Sequence, residues 1–512
     1  MPLQDLDLGR GSDEGRDYQD GYTRHINCYV EPRGNAGKSA APIYGIDGLT
    51  NFTQLPDPSS AESIGAYNTE EDVPFTLITE DGVDLALEGL TAVSGIVGDG
   101  VQDMLTVGLY LYSVAGGSLY RTDSGGFTNW LGSFPKDEPA TLAANRALPT
   151  DVAVVSGGKL YVSSNGAAPS QVTTNIIGAP NSVAHLDGYF ILTYPDGRWQ
   201  ISNIDSGTTW DSGDFSTAVY ATDTTLRPLV RGSDLCLIGT KSIEFWQNVG
   251  TTFPFQRVTA IDVGCSSGQS CVVIDNALLF IDDNYEVRML EGYDPATIST
   301  PWVSRIIRES ARPSAIMGSF YRRDMHTFYT ISGDDFTLVY DLLTGTWHEE
   351  ESDGISRRKV SVYESLSGKI IAGNYASGVL YTVDRTSNED GDGERIFFRI
   401  DTPIIHAWPA RLKFNCLYVD HIAGTGRTNT LADDEDPKLQ LWISEDSGKN
   451  FWHWEDFEMG DINDPLINIE TRGLGTPGPD GYVFSLRCPC NVQRGIIAAK
   501  IDVELAAPRR VD

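Results

Sequence analysis

Seven short hairpins recur along the middle of this chain, and no other feature limits its fold so strongly. Two successive ones, within residues 183–250, share one layout. The first reads Tyr189-Phe190-Ile191-Leu192, the turn Pro195-Asp196-Gly197, then Arg198-Trp199-Gln200-Ile201-Ser202. The second reads Leu235-Cys236-Leu237-Ile238, the turn Gly239-Thr240-Lys241, then Ile243-Glu244-Phe245-Trp246. Each joins β-branched and aromatic runs through a turn that admits positive φ. On the first returning strand Trp199 and Ile201 face one side, and Arg198, Gln200 and Ser202 face the other. The unit repeats at Ala277-Leu278-Leu279-Phe280-Ile281 with Tyr285-Glu286-Val287-Arg288-Met289, and at Thr327-Phe328-Tyr329-Thr330 with Phe336-Thr337-Leu338-Val339-Tyr340. Three further hairpins carry the pattern Gly-x-Leu-Tyr at Gly117, Gly158 and Gly378. The turns fall near 117, 158, 197, 240, 284, 334 and 378, so successive units are 39 to 50 residues apart.

A hairpin cannot bury its apolar face alone. Recurrence at this interval is the period of propeller blades, small antiparallel sheets that pack on one another around an axis. The expectation is an all-β chain built on a β-propeller of six or seven blades, with a β-sandwich with long loops as the competing arrangement. Helical patterning is limited to 141–147 and 303–311.

At 512 residues the chain exceeds one ordinary core. Residues 1–60 are polar and turn-rich and read as an extended N-terminal arm lying on a neighbouring surface. The propeller occupies 61–385. Residues 386–394 form an acidic, glycine-containing linker, and 395–512 form a C-terminal domain. There about six longer alternating strands suit an antiparallel β-sandwich or jelly-roll-like fold. Residues 425–437, with Asp433-Asp434-Glu435-Asp436, read as a solvated loop.

Charge narrows the function. With 71 acidic and 38 basic residues the net charge is −33, opposite to that of a protein that grips phosphates. DNA meeting such a surface is repelled. The seven cysteines are odd in number and irregular in spacing, the pattern of buried free thiols in a reducing compartment. The N-terminus is polar and acidic, and no apolar run reaches membrane-span length, so a soluble chain made in the cytosol is expected, with no membrane insertion.

Motifs of chemistry fall short of their requirements. Gly37-Lys38-Ser39 lacks the earlier glycine of a phosphate loop, because Pro32 holds its place. Asn388-Glu389-Asp390-Gly391-Asp392-Gly393 begins like a calcium loop, but Arg399 stands where a bidentate carboxylate is required. Cys488-Pro489-Cys490 has no second pair to complete a zinc site. Asp205-Ser206-Gly207-Thr208-Thr209-Trp210 and 444–451 resemble the Asp-box turns of sialidases, which support hairpins rather than catalysis. A sialidase-like propeller glycoside hydrolase is the alternative function. It would require paired carboxylates across a cleft and an arginine cluster, neither of which the sequence singles out. No catalytic residue, metal ligand or cofactor is therefore expected. The basic clusters Arg322-Arg323 and Arg357-Arg358-Lys359 are candidate subunit contacts, where arginine can pair with a neighbour's carboxylates. Solvated turns beside acidic loops are the plainer reading of both.

Three regions resemble the packaged-DNA stabilisation, tail hub or nozzle, proteins of short-tailed bacteriophages. They are Ile26-Asn27-Cys28-Tyr29-Val30-Glu31 with Ile46-Asp47-Gly48-Leu49, the stretch from Leu186-Asp187-Gly188-Tyr189 to Ile243-Glu244-Phe245-Trp246, and Leu439-Gln440-Leu441-Trp442-Ile443-Ser444 with Asp446-Ser447-Gly448. In the first region Asp47-Gly48 stands where that family has Pro-Gly. The resemblance implies a propeller hub assembled as a homohexameric ring below the portal and its adaptor, in a virion tail built in the host cytoplasm. It also implies a channel through which genomic DNA passes without tight binding, surfaces for a tail needle or plug and for tailspike or fibre proteins, and no catalytic residues.

Overall fold

The computed structural model describes residues 3–16, 21–33, 38–39, 41–58, 77–78, 84–85, 98–135, 139–391, 393–427, 432–460 and 469–506. Gly37 of the phosphate-loop look-alike, residues 428–431 of the acidic loop and 461–468 lie outside them.

Every one of the seven turns marked by the repeat is the middle hairpin of a four-stranded antiparallel blade. Blades I to V are consecutive in the chain, spanning 101–133, 141–172, 182–217, 225–261 and 272–297. Blade VI spans 317–349. Blade VII takes three strands from 360–384 and its outermost from the arm, where Gly48–Gln54 pairs antiparallel with Val379–Asp384. The first strand of each blade packs against the first strands of its neighbours, so the seven enclose a common axis and the ring closes between blades VII and I. The architecture is an all-β, seven-bladed propeller.

Blade-to-blade contact supplies the core that single hairpins lack. Trp199 of blade III is fully buried against Leu235, Leu237 and Trp246 of blade IV, with its ring edge-on to Trp246 at 5.1 Å. Phe245 of blade IV is equally buried against Leu278, Phe280 and Leu290 of blade V. Gln200 lies on the opposite face from Trp199, as alternation requires, but it is buried too. Its amide oxygen accepts from the Tyr194 hydroxyl at 2.7 Å, and its nitrogen donates to the carbonyls of Asn175 and Asp211. Both faces of an inner blade strand are covered, so a polar residue there must be satisfied by the protein.

Of the two helical segments expected, one forms. Pro301–Glu309 is a helix capped by the Thr300 side chain, with Pro301 in its first turn, and it buries Trp302, Val303 and Ile307 between blades V and VI. The other, 141–147, is instead the inner strand Thr141–Ala144 of blade II, paired with Asp151–Ser156. Alanine-rich helix propensity is overridden there by the ladder and the covered faces on either side.

The chain after the propeller forms, with strands of the arm, a two-sheet sandwich. One sheet orders Cys28–Val30, Ile43–Gly45, Gly495–Leu505, Leu412–His421 and Ile469–Gly475, and the other orders Phe398–Asp401, Val483–Cys488, Lys438–Ser444 and Trp452–Glu458. Phe398, Phe414, Leu441, Phe484 and Ile501 meet between them. The arm is stitched through both bodies of its own chain. Gln4–Asp5 edges one sandwich sheet, and Tyr22–Ile26 lies between Phe398–Asp401 of the other and the outer strand Thr346–Glu349 of blade VI. A continuous hydrogen-bonded sheet therefore runs from blade VI into the sandwich.

Truncating Trp199 or Phe245 to alanine should destabilise the fold by about 3–5 kcal/mol, measured by urea unfolding. Wild-type midpoints for both variants would contradict the packing described.

Candidate functional site

Charged groups concentrate where blades VI and VII, the arm and residues 386–394 meet. The chain enters the inner strand Val360–Leu366 of blade VII through Arg357-Arg358-Lys359, and three sequence features expected to lie apart turn out to be one another's partners. Arg358 is buried, with Nη2 2.9 Å from Asp390 Oδ1 and 3.1 Å from the Asp47 carbonyl. Asp390 has no exposed surface and also accepts from the Ser352 hydroxyl. Lys359 pairs with Glu394, and Glu389 pairs with Arg427 of the sandwich at 3.0 Å. The acidic stretch is thus not a solvated linker. Asp390 and Glu394 are counter-ions of the basic cluster, and the backbone is bound to the arm through Leu49 N to Glu389 O at 2.7 Å.

Around this pair the network is charged and buried. Glu350 is buried beside His348 at 3.6 Å and accepts from the Tyr321 hydroxyl at 3.4 Å. Burial alone would push its carboxyl up, but His348 and Arg358 outweigh it and hold Glu350 below the usual carboxylate range. Burial of Arg358 acts against its charge, and Asp390 and Glu350 reverse that and raise its pKa. Removing one partner of such a pair leaves an uncompensated buried charge.

The five candidate contact residues separate accordingly. Arg323 pairs with Asp47 of the arm, and Arg358 and Lys359 pair with the acidic stretch. Arg357 is buried against the Tyr375 ring at 3.8 Å. Arg322 alone of the five keeps about half its side chain exposed, at 49 %, with Asp275 at 2.6 Å. The residues that sequence reasoning passed over are the histidines of the arm junction. His326 is buried with Nδ1 2.8 Å from Asp341 and Nε2 3.0 Å from Glu31. Burial opposes its protonation, but those two carboxylates prevail and raise its pKa. Asp341 lies on blade VI and Glu31 on the arm, separated by some three hundred residues, which is why no spacing betrayed the pairing.

The remaining motifs are structural. Lys38 of the phosphate-loop look-alike pairs with Asp420 of the sandwich at 2.6 Å. Asp434 of the acidic loop is buried, accepting from the Asn491 amide at 2.8 Å, so that part of the loop is docked rather than solvated. Asp446 caps its own turn through the Asn450 backbone amide at 2.9 Å and side chain at 2.7 Å. Trp210 is buried and donates to the Gly207 carbonyl at 2.8 Å. No two of the seven cysteines form a disulfide, and all are buried. Among the described residues no group of three or more His, Cys, Asp or Glu could hold a metal ion, and no helix is long and apolar enough to cross a membrane.

Two of the larger cavities lined by described residues adjoin the propeller. A crevice of about 540 Å³ separates propeller from sandwich, with Arg323, Arg385 and Arg494 on its walls beside Asp47 and Asp324. An axial cavity of about 410 Å³ sits where the inner strands of blades I, VI and VII begin. Among the described residues lining the axial cavity the only carboxylate is Asp334, held by Arg312 at 2.9 and 2.5 Å. On the inner strands, burial raises Glu364 to about 7 and also raises the Asp103 carboxyl. Asp103 already accepts the Met104 and Leu142 amides at 2.9 and 2.8 Å, tying blade I to blade II. On the crevice wall Arg323 is paired with Asp47 and lies beside Asp324.

The family model that matches this chain is Phage_stabilise, described as "Bacteriophage P22 Gp10, beta-propeller", over residues 71–388. Among solved structures, the WD40 β-propeller domain of Doa1 is 12% identical, with 57% of this chain and 95% of that chain covered at a TM-score of 0.40. The computationally designed protein Ika8 is 10% identical, covering 56% of this chain and 96% of that one at a TM-score of 0.34. No curated protein matches.

Asp390→Asn should destabilise the protein by about 3–5 kcal/mol, because it strands the buried Arg358 charge. Asp334→Asn, at a solvent-facing pair, should cost less than about 1 kcal/mol. Equal urea midpoints for the two variants would refute the difference in burial energetics.

Proposed function

The chain belongs to the Phage_stabilise family, the structural phage proteins that share the β-propeller of bacteriophage P22 Gp10, and from that premise we propose that it is a tail hub. In this reading it forms a homohexameric ring below the portal and its adaptor and continues the DNA channel. It helps retain packaged genome and offers docking surfaces to a tail needle or plug and to tailspikes. Assembly takes place in the host cytoplasm, and the finished protein resides in the virion tail.

The observation that carries this reading is the fate of the basic residues. A net charge of −33 already disfavours phosphate contact. Of the five basic residues most conspicuous in the sequence, Arg323, Arg358 and Lys359 are neutralised inside the chain, and Arg357 is buried. A channel wall with few free cations lets DNA slide, since each lysine or arginine on a phosphate would act as a brake. Salt screens the repulsion beyond about 10 Å at 0.1 M, so the wall guides at short range only. Plug and packing pressure then hold the genome, while the wall does not bind it. Arg322, half exposed beside Asp275, is the remaining candidate for a contact between subunits.

Quantitative mass spectrometry of purified virions should find six copies of this chain per tail, and fluorescence anisotropy should find no binding of the purified protein to duplex DNA at physiological salt. Absence from the virion, or DNA binding tighter than the roughly 10⁻⁴–10⁻⁶ M of non-specific binders, would overturn the reading.

A further inference from the structure

One buried imidazole ties the arm to the propeller and meets a carboxylate at each ring nitrogen. His326, only 3 % exposed, opens the second strand of blade VI, His326–Ser332. Its Nδ1 lies 2.8 Å from Asp341, at the end of the third strand. Its Nε2 lies 3.0 Å from Glu31, just past the arm strand Cys28–Val30. The ring is stacked on Phe328 with centroids 5.4 Å apart and stands edge-on to Tyr29 of the arm at 5.0 Å, contacts that fix its plane. A neutral imidazole has one N–H and one lone pair. It donates to one of two carboxylates and turns its lone pair on the other. Two carboxylates within hydrogen-bond distance therefore call for a ring protonated at both nitrogens, with a charge-assisted bond on each side.

The two carboxylates differ in what else holds them. Asp341 is buried and also accepts from the Thr344 hydroxyl at 2.8 Å and the Leu343 amide at 3.0 Å. Glu31 keeps 27 % of its side chain exposed and lines the crevice between propeller and sandwich, with Arg33 3.9 Å away. The other charged neighbours have partners of their own. On the hairpin before His326, Arg322 pairs with Asp275, and Arg323 pairs with Asp47 of the arm. Asp324 lies 3.8 Å from Arg323 and 3.7 Å from Arg385. On the outer strand of blade VI, His348 stands edge-on to Phe328 and 3.6 Å from Glu350, which also faces Arg358 and the Tyr321 hydroxyl. When His326 loses a proton, the remaining N–H stays with the better-held Asp341. The lone pair then opposes Glu31, which has the crevice to turn into.

We propose that His326 is a pH-sensitive latch: protonated at both nitrogens it clamps Glu31 of the arm to blade VI, and loss of one proton as the pH rises releases Glu31 into the crevice and loosens residues 29–33. Burial opposes protonation of His326, but Asp341 and Glu31 prevail and raise its pKa. The latch is therefore fully closed below about pH 6.5, the ordinary histidine value, and it opens as the pH rises through the higher value of the folded protein. His25, His185 and His421 titrate below that window, because burial lowers all three. The loosening is local. Arg24–Glu349 and Arg323–Asp47 hold the arm on either side, as does the Asn27 side chain, which donates to the carbonyls of Glu351 and Phe397 at 3.0 and 2.8 Å. The device depends neither on ring formation nor on the hub reading, because every group in it belongs to one chain.

Two readouts on the full-length protein test the latch. In ¹H–¹³C spectra of protein labelled at histidine Cε1, the signal missing from His326→Gln should titrate above about pH 6.5. Because that buried position tolerates change poorly, Glu31→Gln supplies a second variant at a partly exposed site, and it should bring the His326 titration down towards the ordinary value. Hydrogen exchange reads the arm itself. The Glu31 N–H donates to the Pro42 carbonyl at 2.9 Å, so its protection reports closure. Normalised for the intrinsic rate, its exchange should accelerate between about pH 6 and about pH 9, by roughly tenfold for each unit by which the His326 titration is raised. The change should flatten in Glu31→Gln. A His326 signal titrating at or below about pH 6.5, an unmoved titration in Glu31→Gln, or a normalised exchange rate at Glu31 that ignores pH would overturn the proposal.

Discussion

Ring closure is the constraint on which the rest of this structure depends. A propeller gains its core only when every blade has two neighbours, and here the seventh blade lacks a strand until the arm delivers it. Gly48–Gln54 completes that blade, after the arm has already edged the sandwich with Gln4–Asp5, bridged the two bodies with Tyr22–Ile26 and entered the sandwich again at Cys28–Val30 and Ile43–Gly45. The arm thus supplies strands to both bodies. One segment therefore couples the two cores.

The electrostatics reinforce that coupling at the same seam. Arg358–Asp390, Arg323–Asp47, His326–Glu31 and Arg24–Glu349 all join the arm or the 386–394 stretch to blades VI and VII. Arg323 and Arg358 are thereby used within the chain, while others such as Arg385 and Arg472 stay exposed. The proposed weak affinity for nucleic acid rests on the same distribution of charge. Such buried pairs contribute more to a unique arrangement than to net stability, since the same volume filled with apolar side chains would be at least as stable.

How much of this the sequence disclosed depended on sequence distance. The middle hairpins of all seven blades were legible because each is local, a short turn between two apolar runs, at positive φ in some blades, as at Gly197 and Gly117. Six sandwich strands after 395 were legible by alternation, but Ile469–Gly475 was not. The outer strand of blade VII was not, because Gly48–Gln54 meets its partner more than three hundred residues away and carries no pattern of its own. The same distance hid Glu31 from His326. Asp390 misled for another reason. A run of carboxylates and glycines reads as solvated unless the buried Arg358 is known to face it. Thr141–Ala144 misled because local propensity favoured a helix that the neighbouring strand forbids.

Native-state hydrogen exchange tests the coupling most directly. If the arm locks both cores, amides of Gly48–Gln54, of Tyr189–Thr193 in blade III and of Leu412–His421 in the sandwich should share one opening free energy, equal to that of global unfolding. Exchange of Gly48–Gln54 through an opening several kcal/mol cheaper, or separate opening energies for blade III and the sandwich, would contradict it.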